Sequence, residues 1–64
     1  MPTYRCYFID KQDRITGHET IECADDAAAI AMAEGLLQRK RSTFVAVEVW
    51  DHTRKVGKRP LQST

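Results

Sequence analysis

Apolar and polar residues alternate in three runs of this chain, which predicts three strands. The runs cover residues 3–9, 20–23 and 44–50. A period of two places every second side chain on the same face of a sheet. Between the second and third runs, residues 25–40 repeat apolar side chains every three or four positions, which predicts a helix. The order is therefore strand, strand, helix, strand.

Each strand has one side that we expect to face the core. In the first strand this side carries Tyr4, Cys6 and Phe8, because Arg5 on the opposite side should meet water. In the third strand it carries the valines at positions 45, 47 and 49, because the other side bears Glu48. The valine side should therefore lie under the helix.

The helix has a recognisable start and a recognisable end. Asp25 can accept hydrogen bonds from the amides of the first turn, so we expect it to be the N-cap. The Arg-Lys-Arg sequence at 39–41 puts positive charge at the negative end of the helix dipole. The stripe expected against the sheet contains Ala29, Ile30, Ala33, Leu36 and Leu37.

These elements predict an α+β fold of two layers, in which a mostly antiparallel sheet of three or four strands packs on one helix (β-β-α-β-β). A short fourth strand over residues 53–56 follows a turn at Asp51-His52. Strand three lies either beside strand one, giving the order 2-1-3-4, or beside strand two. Secondary-structure propensity does not distinguish between these two strand orders. One domain is expected over residues 1–57, with a flexible tail over 58–64 that contains Pro60 and few apolar residues.

Size and composition indicate a small globular protein. The chain has 64 residues, of which 42% are apolar and 30% charged. A chain this short buries only about 60% of the surface that it exposes when unfolded, so a partner subunit would add useful stability. No apolar run approaches the roughly 20 residues of a membrane span, and no signal peptide is evident, which predicts a cytoplasmic protein. Cys6 and Cys23 are then expected to be free thiols.

The side of the sheet away from the helix is the first candidate binding surface. It is expected to carry four large apolar side chains beside Arg5 and Glu48, namely Tyr7, Ile9, Phe44 and Trp50. Aromatic residues grouped in this way often form protein interfaces, and stacking two sheets would bury them in a homodimer. The leading hypothesis is a non-catalytic protein-interaction module. The alternative is that the rings are scattered and have no role.

The basic C-terminal half is the second candidate surface. Residues 39–64 carry seven basic and two acidic residues. The basic residues are Arg39, Lys40, Arg41, Arg54, Lys55, Lys58 and Arg59. Such a group can contact an anion or a nucleic acid, which makes nucleic-acid binding the alternative function. Helix capping by the first three residues and solubility of the tail explain the same charges without any ligand.

Catalytic and metal-binding patterns are lacking in the sequence. Sixteen residues separate Cys6 from Cys23 and thirty-three separate His18 from His52, which matches no zinc motif with closely spaced ligand pairs. No glycine-rich phosphate loop or nucleophile motif occurs. We therefore expect neither an enzyme nor a cofactor.

Parts of the chain resemble a family of short uncharacterised bacterial proteins. The similar parts are the Met-Pro-Thr-Tyr start, the segment 20–29 and the Val-Glu-Val-Trp-Asp strand at 47–51. This resemblance covers the chain to about Val56 and implies the strand-strand-helix-strand fold, without implying an activity. The hairpin and the alanine-rich helix at 22–37 are also similar to antitoxins of the HicB type. Their Pro-Gly-Cys stretch and DNA-binding segment have no counterpart here, which argues against an antitoxin role.

Overall fold

A four-stranded antiparallel sheet and one helix make up the computed structural model, which describes residues 2–61. The strands are β1 (Thr3–Asp10), β2 (Ile15–Glu22), β3 (Phe44–Asp51) and β4 (Arg54–Pro60), and the helix is α1 (Asp26–Arg39). The strands lie in the order β2-β1-β3-β4. The predicted α+β fold is confirmed, and of the two predicted strand orders the structure has the one with β3 beside β1.

Helix α1 begins and packs as its sequence predicts. The backbone amide of Ala28 donates to the Asp25 carboxylate at 2.9 Å, so Asp25 is the N-cap. Ala29, Ala33 and Leu37 are buried, and the two partly buried residues of the stripe also pack on the core. The helix lies mainly over β3 and β4. It therefore covers one face of the sheet, and within residues 2–61 no second layer packs on the other face.

The core side of β3 follows the prediction at Val47 and Val49, whereas Val45 is only partly buried and lies at an irregularity in the strand pairing. Val47 and Val49 have no exposed surface, and they pack with Cys6 and Phe8 of β1 beneath the helix. Full burial of an aliphatic side chain contributes about 1.5–3 kcal/mol to folding. These residues fix which face of the sheet the helix covers.

Phe44 corrects the predicted assignment of faces. The sequence pattern put this residue opposite the valines, but its ring lies 5.4 Å from the Phe8 ring on the helix side. The reason is a bulge: Ile9 pairs with Ala46 and Asp10 pairs with Phe44, so Val45 is an extra residue in β3. One extra residue reverses the alternation of side chains before it. Phe44 is therefore part of the core and is excluded from the opposite face.

Strand β4 is longer than predicted and includes the first residues of the predicted tail. The expected strand ended at residue 56, whereas β4 continues to Pro60 and pairs that residue with Ala46. Leu61 then donates its amide to the Val45 carbonyl at 2.7 Å and packs against the core. Backbone pairing with β3 needs no apolar side chain, so polar composition did not indicate where the strand ends. Residues 62–64 of the predicted tail lie outside the described residues.

Gly17 lies within β2, opposite Phe8 of β1. A Cβ atom at Gly17 would lie 2.9 Å from the tip of the Phe44 ring. We expect Gly17→Ala to destabilise the fold by about 1–3 kcal/mol in urea unfolding, because the ring must move within a packed core. Gly35→Ala is the matched control, since nothing lies within 4 Å of that position. It should stabilise the helix by up to about 1 kcal/mol. Stabilisation by both substitutions would show that Phe44 does not pack over Gly17.

Candidate interaction face

We use "open face" for the side of the sheet opposite α1. Three rows of directly paired residues cross it in the order β2-β1-β3-β4. The upper row is Thr20, Arg5, Trp50 and Lys55. The middle row is His18, Tyr7, Glu48 and Lys58. The lower row is Ile15, Ile9, Ala46 and Pro60. The lower row is thus apolar throughout, whereas the other two combine a central aromatic residue with charged neighbours.

Tyr7 and Trp50 lie on the two central strands, and each is partly buried. Arg5 donates to the Tyr7 hydroxyl at 3.4 Å, and the Trp50 indole nitrogen donates to the Glu48 carboxylate at 3.1 Å. The Tyr7 ring lies 6.4 Å from the His18 ring. The two hydrogen bonds pair the polar group of each aromatic side chain with another side chain of the same molecule. The apolar surfaces of the rings therefore remain the part that a partner can cover.

A shallow depression of about 440 Å³ lies on the open face. Its lining residues are Tyr7, Ile15, Glu48, Trp50, His52 and Thr53. Ile15 is the most exposed of the large apolar side chains in the described part of the chain, at 55%. The depression therefore joins an exposed aliphatic side chain to both aromatic residues.

The four predicted interface residues have different environments. Tyr7 and Trp50 lie on the open face as expected. Ile9 lies on the same face but is only 4% exposed, so it supports the surface without offering area to a partner. Phe44 lies on the other side, as described above. Sequence analysis missed Ile15, although an apolar β-branched residue directly after a polar turn indicates that a strand has already begun.

The seven predicted anion-binding residues do not form one patch. Arg39, Lys40 and Arg41 lie at the C-terminal end of α1, whereas Arg54 contacts Asp26 at the opposite end. Cross-strand pairing puts Lys55 and Lys58 on the open face and Arg59 on the helix side. Arg54 is therefore separated from the three basic residues at the C-terminal end of α1.

Four of these basic residues also have an acidic neighbour in the chain. The nitrogen–oxygen distances are 3.5 Å for Lys40–Glu19, 3.0 Å for Arg54–Asp26, 3.9 Å for Lys55–Glu48 and 4.0 Å for Arg59–Glu34. The Lys40 ammonium also lies 5.6 Å from the centre of the Phe8 ring. Exposed pairs of this kind contribute little stability. They do, however, reduce the net positive charge that each residue presents to an anion.

A network around Asp26 ties the start of the helix to β1 and to the turn between β3 and β4. The Tyr4 hydroxyl donates to Asp26 at 2.8 Å, and Arg54 donates to the same carboxylate at 3.0 and 3.1 Å. Arg54 also donates to Asp51 at 3.0 Å. These bonds from Arg54 and Tyr4 lower the pKa of Asp26. The hydrogen bond to Asp26 and burial raise the pKa of Tyr4 to about 12. The network has a structural role that sequence analysis did not predict.

Cys6 and Cys23 are buried free thiols, as predicted. Burial first, and then the proximity of Cys23 and Glu19, raises the pKa of Cys6 to about 11. A thiol that stays protonated and inaccessible is a poor nucleophile. Among residues 2–61, no three histidine, cysteine or acidic side chains are grouped closely enough to hold a metal ion. Within the same residues, no helix has the length and apolar content needed to cross a membrane.

The raised pKa values of Cys6 and Tyr4 predict a loss of stability in alkali. Each group has a higher pKa in the folded protein than in the unfolded chain. Its contribution to the free energy of unfolding is therefore complete when the pH is below the pKa of the unfolded chain. That contribution disappears as the pH rises through the pKa of the folded protein. For Cys6 this interval runs from 9.0 to about 11, and for Tyr4 from 10.0 to about 12. We expect the free energy of unfolding to fall steadily above pH 9. Urea titrations at each pH measure this, and Cys6→Ala and Tyr4→Phe should each flatten the slope within its interval. An unchanged slope in both variants would show that neither Cys6 nor Tyr4 causes the loss of stability in alkali.

Comparison with known proteins gave no relative: the chain matches no protein-family model, no curated protein and no solved structure. The resemblance to short bacterial proteins therefore stays a prediction.

Proposed function

We propose that the protein is a non-catalytic protein-interaction module that uses its open face as the contact surface. One observation carries the proposal: Trp50, Tyr7 and Ile15 line one depression on the side of the sheet that the helix does not cover. Tryptophan and tyrosine are the residues on which interface affinity most often depends. The cytoplasmic location predicted from the sequence belongs to the same proposal.

The polar surroundings of the depression also support a protein partner. Arg5, Glu48, Lys55 and Lys58 surround the two aromatic rings with charges of both signs. An apolar centre with a polar rim is the usual anatomy of a protein interface. Such a rim provides specificity through paired charges, while the centre provides most of the affinity.

Nucleic-acid binding by the basic C-terminal half has weaker support. A nucleic acid follows a continuous positive surface, because affinity comes mainly from phosphate contacts. Here Arg54 and the basic residues at 39–41 lie at opposite ends of the helix, and Arg54 is engaged by two carboxylates. We therefore keep protein interaction as the proposed function.

A photocrosslinking experiment tests the proposal at single-residue level. Ile15 is replaced by p-benzoylphenylalanine, and the protein is irradiated both purified and in cell lysate. We expect covalent protein adducts, which should be reduced when Trp50→Ala is added. Met32 is the matched control position, because it is 46% exposed but lies on the helix. Adducts at equal levels from both positions would contradict the proposal, as would Ile15 adducts that disappear on nuclease treatment.

A further inference from the structure

We infer that the partner of the open face is a second copy of this chain, related by a two-fold axis that runs parallel to the strands between β1 and β3. This inference rests on the proposed function and adds the identity and the orientation of the partner. It follows from the arrangement of charges in the three rows and from the size of the face.

The size of the open face is sufficient for a small stable dimer. The Cα trace of the whole molecule measures 31 × 23 × 15 Å, and the rectangle of its two longer dimensions, within which the open face lies, is about 700 Å². Stable interfaces bury about 800 Å² on each partner, so contact over the whole face approaches that value. A 64-residue chain buries a smaller fraction of its surface on folding than a large domain does, so burial in a dimer would add a larger share of its stability.

When two copies stack open face to open face, the two-fold axis can have two directions that bring the whole of one face over the whole of the other. In one, the two-fold axis lies across the strands, so that each strand covers its own copy and the upper row covers the lower row. This puts Glu48 against Glu48 and Lys58 against Lys58 of the second copy. It also puts Arg5 over the buried, apolar Ile9. Like charges brought together oppose association.

In the other orientation the axis runs parallel to the strands, and every row covers the same row of the second copy. Strand β1 then lies over β3, and β2 lies over β4. Arg5 covers Trp50 of the second copy, where a guanidinium on an indole ring is favourable. The exposed Ile15 covers Pro60, so the apolar rows also meet. Sheets packed face to face keep their strands within about 30° of each other, so the central pairs remain in register.

The middle row supplies a hydrogen bond in this second orientation. Tyr7 lies over Glu48 of the second copy, because these two residues pair directly within each sheet. The Tyr7 hydroxyl accepts from Arg5 in its own chain and still has its proton to donate. Glu48 accepts from Trp50 and lies 3.9 Å from Lys55, and a carboxylate has further lone pairs available. Because the two copies are related by a two-fold axis, the same hydrogen bond forms at two places in the interface.

Cysteine crosslinking distinguishes the two orientations. His18→Cys and Lys58→Cys are made as separate variants, since both side chains are exposed at the ends of the middle row. Each variant alone, and a mixture of the two, is treated with a bismaleimide whose reach matches the roughly 10 Å between packed sheets. The unmodified chain is the blank, because Cys6 and Cys23 are buried. Sedimentation equilibrium of the unmodified chain measures the mass in parallel.

We expect a mass that rises to twice the monomer value with concentration, and a crosslinked dimer only in the mixture of the two variants. A variant that crosslinks to itself would show the axis across the strands and overturn the inference. A dimer that crosslinks in no sample would also overturn it. A monomer at every concentration would exclude the second copy. Adducts from the photoreactive residue at position 15 with another protein would then leave the proposed function intact.

Discussion

Leu37→Ala is expected to remove about half of the stability of this protein. Leu37 is only 1% exposed and is one of the largest fully buried side chains, at the C-terminal end of the helix stripe. Truncation of a buried leucine costs about 2–5 kcal/mol, because transfer energy is lost and a cavity remains. A 64-residue domain has about 3–10 kcal/mol in total. Urea unfolding at one fixed protein concentration measures the loss, since association also stabilises the folded state.

Met32→Ala is the matched control on the same helix. Met32 is 46% exposed, so its truncation should change the free energy of unfolding by less than about 0.5 kcal/mol. Equal losses from the two substitutions would show that the stripe containing Leu37 does not face the sheet. The assignment of the open face would then be wrong as well, because it depends on which side the helix covers.

Trp50→Ala is expected to weaken the proposed dimer at least about 30-fold. Truncation of an aromatic residue at the centre of an interface commonly costs ~2 kcal/mol or more, and about 1.4 kcal/mol corresponds to tenfold in the dissociation constant. Trp50 contributes a ring from each copy, so the symmetric interface loses both. Sedimentation equilibrium over a concentration series measures the change, with circular dichroism to verify that the variant folds.

Two further variants separate loss of contact from loss of folding. Trp50→Phe keeps an aromatic ring on the strand but loses the hydrogen bond to Glu48, so its effect should be intermediate. Met32→Ala changes an exposed side chain on the helix and should leave the dissociation constant unchanged. Association that is insensitive to Trp50→Ala in a folded protein would exclude the open face as the interface.

Local patterns were enough to predict most of the fold. Asp25 at the start of an alanine-rich segment predicted the N-cap, and the valines opposite Glu48 predicted the side of β3 that faces the helix. Both predictions depend on neighbours in sequence, where spacing alone determines which side chains share a face. The first strand and the polar turn after it are likewise defined by local alternation and turn residues, whereas β2 begins at Ile15, before the alternating run at 20–23.

The features that sequence analysis missed depend on pairing between distant segments. The bulge at Val45 arises from the register between β1 and β3, and alternation within β3 gives no sign of it. Phe44 was therefore assigned to the wrong face. The contacts of Arg54 with Asp26 and Asp51 form only once β4 lies near the start of the helix. Charge counts along the chain could therefore indicate a basic region but not how its charges are paired.

Fluorescence of Trp50 tests the central claim most directly, because this is the only tryptophan in the chain. If the open face is buried by a second copy, its emission should shift to shorter wavelength as the protein concentration rises. Quenching by iodide should fall over the same range, with a midpoint that matches the increase in mass. Emission and quenching that stay constant from low micromolar to millimolar concentration would contradict this account.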